Sequence, residues 1–137
     1  MRLASLRSLF ALLLVAASFG ALAQSLPDFD QLEMRLHIRP EQKDQYDQAV
    51  GATKRALLAV GIAAMQMKDA LVQELTKPSP DFRALARKQN QLIDDQRPLF
   101  REAGEQWQRL YRILDPSQVE TVREFLRENL GRLLPQQ

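Results

Sequence analysis

The sequence predicts an all-α protein of four helices, with a long, bent antiparallel helical hairpin at its centre. Apolar residues recur at alternating steps of four and three through residues 40–75. A seam with the same spacing, which includes three glutamines among its apolar residues, runs through residues 80–113. This is the spacing of helices that pack along one another. No segment shows the period-two alternation of a half-buried strand. Two long helices joined by a short turn form an antiparallel hairpin.

A secretory leader precedes the predicted helices. Arg2 and Arg7 form a positively charged start, an apolar run follows, and residues 21–23 have the small-x-small pattern of a cleavage site. We therefore expect a signal peptide at residues 1–23 that is removed near Ala23, and an exported mature protein. Charged residues interrupt every later apolar run, so we expect no membrane span after cleavage.

Composition argues against several classes of protein. The chain has 19 basic and 17 acidic residues, and removal of a leader with two arginines and no acid leaves 17 of each. This balance gives no support for a nucleic-acid partner, which would need a net basic face. The absence of cysteine excludes disulfides and thiol chemistry. Residues 24–137 are therefore expected to form a single domain held together by helix packing alone.

The four predicted helices span residues 27–36, 40–75, 80–113 and 116–130. A proline stands at the first position of each, where its missing N–H has no helical partner to lose. Pro78 and Pro80 enforce a tight turn between the two long helices. Asp115 and Gln118 have the spacing of a capping box at the start of the fourth helix.

The second helix carries more apolar surface than one neighbour can cover. Its predicted packing seam consists of Tyr46, Val50, Thr53, Leu57, Val60, Ala64, Met67 and Leu71. A strip of alanines lies beside the seam, and a third line on another side consists of Leu58, Ile62, Met65 and Val72. A helix that is apolar all round must be covered on more than one side. The pattern therefore predicts either a second subunit or an apolar client.

Pro98 lies inside the third predicted helix. It removes the hydrogen bond to the carbonyl of Asp94 and favours a bend. A break between two separate helices is the alternative. We favour the bend, because the apolar seam continues in phase on both sides of the proline. A bent hairpin would have a concave side.

No catalytic constellation is present in the sequence. His37 is the only histidine and there is no cysteine, so most pairings of a nucleophile with a base are excluded, and we predict a protein that is not an enzyme and has no cofactor. Met34 and His37 would share a helical face, and Met65 with Met67 adds two thioethers. These are too few ligands to predict a metal site, although a weak site at Met34 and His37 stays open. Adaptable packing is the simpler role for Met65 and Met67.

Two helix starts carry similar sequences. Residues 36–42 (Leu-His-Ile-Arg-Pro-Glu-Gln) and residues 114–118 (Leu-Asp-Pro-Ser-Gln) resemble the Leu-x-Leu-Thr-x-x-Gln element that occurs twice in the Spy/CpxP family. The two copies contain eight residues of structural interest: Leu36, Ile38, Pro40, Gln42, Leu114, Asp115, Pro116 and Gln118. Arg39 and Asp115 replace the motif threonine. Asp115 can still cap its helix, whereas the Arg39 side chain cannot. We expect the motif residues to hold the helix junctions rather than to contact a ligand.

The resemblance implies a periplasmic, all-helical, cradle-shaped antiparallel homodimer. Members of that family include ATP-independent chaperones, an inhibitor of an envelope-stress sensor kinase, and metal-responsive proteins. The leading expectation is therefore a chaperone or envelope-stress accessory protein that holds partly unfolded envelope proteins. A regulator that binds the periplasmic domain of a sensor kinase is the alternative. A metal-responsive sensor or scavenger is less favoured, because those relatives carry several histidines and this chain has one.

Six residues are candidates for client contact on a concave surface: Lys54, Arg55, Leu58, Ile62, Met65 and Arg97. The apolar members would receive exposed apolar side chains of the client, and the basic members would steer it from a distance. A dimer core is the competing interpretation for the apolar members. An ordinary solvated helix face is the competing interpretation for the basic ones.

Overall fold

The computed structural model describes the backbone of residues 26–133 and the side chains of residues 26–129. This part of the chain is all-α, as the sequence predicted. Its four helices are α1 (Phe29–Leu36), α2 (Pro40–Leu75), α3 (Phe82–Ile113) and α4 (Pro116–Leu133). The predicted signal peptide and its cleavage site lie outside the described residues.

The prediction of a proline at the first position is right for α2 and α4 and wrong for α1 and α3. The α1 helix begins at Phe29 because the side chain of Asp28 accepts a hydrogen bond from the backbone N–H of Gln31, at 3.0 Å. Asp81 does the same for α3 by accepting from the N–H of Ala84, also at 3.0 Å. An aspartate cap therefore sets these two starts, and the preceding proline stays outside the helix.

Contacts divide the chain into two compact units. The four-helix unit comprises Leu26–Ala56 and Leu99–Gln137, and the two-helix unit within the described chain is Leu57–Pro98. The expectation of one domain over residues 24–137 stays a prediction. Since α2 and α3 each contribute to both units, each unit has its own stretch of the predicted packing seam.

An aromatic core fills the four-helix unit. Tyr46 is buried, and its hydroxyl donates to the backbone carbonyl of Phe29 at 2.6 Å. Burial raises the pKa of Tyr46. The Trp107 ring stands edge-on to Tyr46, with centroids 6.4 Å apart, and its Nε1–H donates to Thr53 Oγ1 at 2.7 Å. The buried members of this core are Phe29, Leu32, Leu36, Tyr46, Ala49, Val50, Leu110, Val122 and Phe125.

Within the four-helix unit, α2 and α3 run antiparallel. Gln45 Nε2 donates to the side chain of Gln106 at 2.9 Å. Ten residues further along α2, Arg55 pairs with Glu102, which lies earlier in α3, at 3.2 Å. Partner numbers thus fall along α3 as they rise along α2 within this unit.

The two-helix unit buries a single seam. Met67 and Leu85 form a buried cluster, and the half-buried residues that pack against them are Ala70, Leu71, Phe82 and Leu92. Val60 and Gln96 are also buried in this unit. At its end, the Glu74 carboxylate accepts from Lys77 Nζ at 2.6 Å and from the backbone N–H of Asp81 at 3.0 Å. These two hydrogen bonds lower the pKa of Glu74. Two helical segments can cover only one side of each other, so the opposite side of α2 is left exposed.

The α2 helix is the one described helix that could cross a membrane by its length and composition. Its most apolar 18-residue window contains at most two charged residues, so the expectation that charges interrupt every later apolar run is too strict. Core helices of soluble proteins pass the same test, but only 22% of this window is buried inside the structure. The low buried fraction of this window therefore reflects the exposed apolar surface of α2.

One continuous helix passes through Pro98. The alternative of two helices separated at this proline is therefore wrong. Pro98 is also the last residue of the two-helix unit. The bend that the sequence predicted at this position stays a prediction.

His37 ends α1 in a left-handed conformation, with φ 49° and ψ 51°, and its backbone N–H donates to the carbonyl of Met34. A β-branched side chain is strained in this conformation, whereas asparagine tolerates it. We expect His37→Val to lower the free energy of unfolding by about 1–2 kcal/mol, and His37→Asn to change it by less than about 0.5 kcal/mol. Urea unfolding followed by circular dichroism measures both. Equal effects of the two substitutions would contradict the left-handed cap.

Candidate functional site

The two motif copies meet in the four-helix unit through their glutamines. Gln42 and Gln118 are 1% and 6% exposed. Each side-chain amide donates to the carbonyl oxygen of the other at 3.0 Å. Gln42 Nε2 also donates to the backbone carbonyl of Ile113 at 2.8 Å, and Gln118 Nε2 donates to that of Leu36 at 3.0 Å. The pair therefore connects the start of α2 with the end of α3, and the start of α4 with the end of α1.

Both glutamines also cap their own helices. Gln118 Oε1 accepts from the Asp115 backbone N–H at 3.0 Å, and Asp115 Oδ1 accepts from the Gln118 N–H at 2.9 Å. These reciprocal bonds form the capping box that the spacing predicted. At the first copy, Gln42 Oε1 accepts from the Arg39 N–H at 3.1 Å, which supplies half of the same arrangement. The other half is missing, because the Arg39 side chain has no acceptor for an N–H group of α2.

The two positions that depart from the motif lie next to each other. Arg39 Nη1 and Asp115 Oδ2 are 3.3 Å apart, and both side chains are about half exposed, at 47% and 42%. Opposite charges replace the two threonines of the resemblance and form one ion pair. Sequence spacing could not predict this contact, because the two residues are 76 positions apart in the chain.

Removal of Asp115 is expected to cost more than removal of Arg39. Asp115→Ala loses a helix cap and an ion pair, so we expect a loss of about 1–2 kcal/mol of unfolding free energy. Arg39→Ala loses only exposed ion pairs, and we expect about 0.5 kcal/mol or less. The coupling energy in a double-mutant cycle should lie at about 0.2–1 kcal/mol. Larger loss in Arg39→Ala than in Asp115→Ala, measured by urea unfolding, would contradict the capping role.

The other motif residues lie around this amide pair. Leu36 is buried in the aromatic core, and Ile38 and Leu114 are half-buried against it. Pro40 and Pro116 are the first residues of α2 and α4. The structure thus brings all eight motif positions to the helix junctions of one unit.

The apolar client candidates form an exposed line on α2 in the two-helix unit. Leu58, Ile62 and Met65 are 64%, 48% and 68% exposed. Val72 lies seven residues after Met65 on the same helical line and is also exposed. We call Leu58, Ile62, Met65 and Val72 the exposed stripe. Val72 was not among the predicted client-contact residues, although its helical spacing placed it on the same apolar line.

The basic client candidates differ in their surroundings. Arg55 pairs with Glu102, and Arg97 pairs with Asp94 at 3.3 Å. Lys54 is exposed and makes no ion pair within residues 26–129. Since Arg55 and Arg97 are each neutralised by a partner within the chain, they provide weaker steering of an acidic client than the sequence suggested.

Met34 and His37 are both exposed, and they lie beside Asp30 and Glu33 on an open part of the α1 surface. Among the described residues, no three His, Cys, Asp or Glu side chains are placed to hold a metal ion together. Met67 is buried in the two-helix unit, in agreement with a packing role, whereas Met65 belongs to the exposed stripe.

Comparison of the chain with protein-family models, with curated proteins and with solved structures found no match. Membership of the Spy/CpxP family therefore stays a prediction that depends on the two motif copies and their positions at the helix junctions.

Proposed function

We propose that this protein is an exported, ATP-independent holding chaperone of the Spy/CpxP kind. It would bind partly unfolded envelope proteins on the exposed stripe and release them without a nucleotide cycle. The observation that carries the proposal is the apolar line of Leu58, Ile62 and Met65, whose side chains are 64%, 48% and 68% exposed. Contiguous apolar surface of this kind marks an interaction site in a soluble protein.

The character of the stripe favours adaptable binding over a single rigid fit. Leucine, isoleucine and methionine on a regular helix face supply apolar area without directional hydrogen bonds, so many client sequences satisfy them equally. Met65 adds an unbranched side chain that adjusts to different partners. Weak contacts of this type permit release without ATP.

The junction geometry supports the same family assignment. The two glutamines that match the motif form one reciprocal amide pair, so both copies serve a common structural purpose in the four-helix unit. A repeated motif with its two copies in contact is a more specific pattern than either short copy alone.

A homodimer belongs to the proposal, and a second copy is the competing occupant of the exposed stripe. The two possibilities predict different responses to substitution. If the stripe is the dimer core, its polar substitution yields monomers. If the stripe receives clients, the same substitution leaves the mass of the free protein unchanged and removes client binding.

Polar substitution of the stripe is expected to abolish holding. A client that half covers each side chain gains about 1 kcal/mol from it, so the variant L58Q/I62Q/M65Q should bind clients roughly a hundredfold more weakly. Light scattering from an aggregating, chemically unfolded model client at stoichiometric chaperone measures the effect. The matched control changes three exposed apolar residues of the four-helix unit, L26Q/M34Q/I113Q, and should protect as well as the unchanged protein.

Equal loss of protection in the two triple variants would contradict a client site on the stripe. No protection by the unchanged protein would count against holding altogether. Affinity capture from envelope extract then distinguishes a chaperone from a regulator. One dominant partner supports a regulator of a sensor kinase, and a broad set of unfolded proteins supports a chaperone.

A further inference from the structure

A partly open cavity of about 240 Å³ lies in the four-helix unit, whereas the exposed stripe belongs to the two-helix unit. The cavity walls include Phe29 and Leu32 from α1, Trp107 from α3, and Phe125 from α4. Leu126, which is 48% exposed, also lines it and stands at its mouth. Neither the motif resemblance nor client holding gives this cavity a role.

The walls are fixed by their own contacts. The Phe29 ring lies 6.4 Å from the Trp107 ring and 6.5 Å from the Phe125 ring, centroid to centroid. The Trp107 indole is held by its hydrogen bond to Thr53. Aromatic side chains that are mutually packed in this way do not collapse into a neighbouring space, so the cavity is a preformed feature.

The cavity lining has few polar groups that could bind water and no charged side chain that could pair with an ion. No Asp, Glu, Lys, Arg or His lines the cavity. The Thr53 hydroxyl bonds to the Ala49 carbonyl at 2.9 Å and accepts from Trp107, and Asn129 Nδ2 donates to the Phe125 carbonyl at 2.8 Å. Almost all of the surface that lines the cavity is apolar, and apolar cavities stay dry and take up apolar molecules.

We propose that this cavity binds a small, neutral, apolar molecule. At the packing density of protein interiors, about 0.74, its volume holds about ten carbon atoms. An alkylbenzene has this size, and its ring matches the aromatic walls. A charged end group would be disfavoured, because no residue of opposite charge lines the cavity. The inference is independent of client holding, since it concerns the other unit of the chain.

Trp107 allows a direct test, because it is the only tryptophan of the protein. Titration of the purified protein with n-butylbenzene should change Trp107 emission in a saturable way and raise the melting temperature by a few degrees. The matched ligand 4-phenylbutyrate, in which a carboxylate replaces the terminal methyl group, should bind at least tenfold more weakly. Absence of a saturable response to n-butylbenzene, or equal affinity for the two ligands, would overturn the proposal.

A pair of variants locates the site. Leu126→Phe places a larger, aromatic side chain at the mouth of the cavity and should weaken n-butylbenzene binding at least tenfold. Leu75→Phe makes the same change at an exposed position of the two-helix unit outside the exposed stripe, and it should leave the affinity unchanged. Circular dichroism checks that both variants fold. If Leu126→Phe does not fold, the comparison of n-butylbenzene with 4-phenylbutyrate tests the proposal on the unchanged protein. Equal weakening by both variants would place the binding elsewhere and overturn the assignment.

Discussion

Tyr46→Ala is expected to lower the free energy of unfolding by about 3–5 kcal/mol. Tyr46 is 2% exposed and packs edge-on against Trp107 within the aromatic core. Truncation would leave a cavity the size of the ring in a site that neighbouring helices cannot close. It would also remove the hydrogen bond that holds the Phe29 carbonyl, at the beginning of α1, to α2.

A more conservative change separates the hydrogen bond from the packing. Tyr46→Phe keeps the ring and leaves the buried Phe29 carbonyl without its donor from α2, so we expect a loss of about 1–3 kcal/mol. Tyr111→Phe is the matched control, because the half-buried Tyr111 hydroxyl makes no hydrogen bond within residues 26–129, and its loss should stay within about 0.5 kcal/mol. Equal losses in the two Tyr→Phe variants, measured by urea unfolding, would contradict the importance of the Tyr46 hydroxyl.

Gln118→Ala is expected to cost about 2–4 kcal/mol, an unusually large effect for a polar residue. The substitution leaves three groups without the partner that Gln118 supplies: the Gln42 amide, the Leu36 carbonyl and the Asp115 N–H. Buried polar groups without partners are more costly than the lost bonds themselves are favourable. Gln108→Ala, at an exposed position of α3, is the control and should change the stability by less than about 0.5 kcal/mol.

The amide pair also predicts strong non-additivity. Once Gln118 is gone, Gln42 has lost both bonds of the reciprocal amide pair, so Q42A/Q118A should cost clearly less than the sum of the single changes. Urea unfolding of the single and double variants measures this coupling. Additive costs would show that the two glutamines act independently and that the motif copies are not linked through them.

Much of the fold follows from the sequence because it depends on local patterns. The seam of α2 and the prolines at Pro40 and Pro116 predict helix positions that the structure reproduces to the residue for α2. The starts of α1 and α3 are less predictable, since an aspartate cap and a proline at the first position compete within three residues. The sequence alone favoured proline, and the side chains of Asp28 and Asp81 decide otherwise.

The residues of the candidate site could be predicted from the sequence, but the contacts between them could not. The repeat of the motif marks Gln42 and Gln118, and the third line of α2 marks Leu58, Ile62 and Met65. Which lines of α2 are covered depends on how many helices surround each part of it. The ion pair of Arg39 with Asp115 requires two distant helix starts to meet, which no local pattern encodes.

The most direct test of client holding is the mass of the purified protein in solution, measured by light scattering with and without a chemically unfolded client. We expect a mass near twice that of the mature chain, which increases when the client is added. The L58Q/I62Q/M65Q variant should keep the dimer mass and lose the increase. A dimer whose mass does not change with the client would contradict holding, and a triple variant that becomes monomeric would show that the exposed stripe is covered by a second copy.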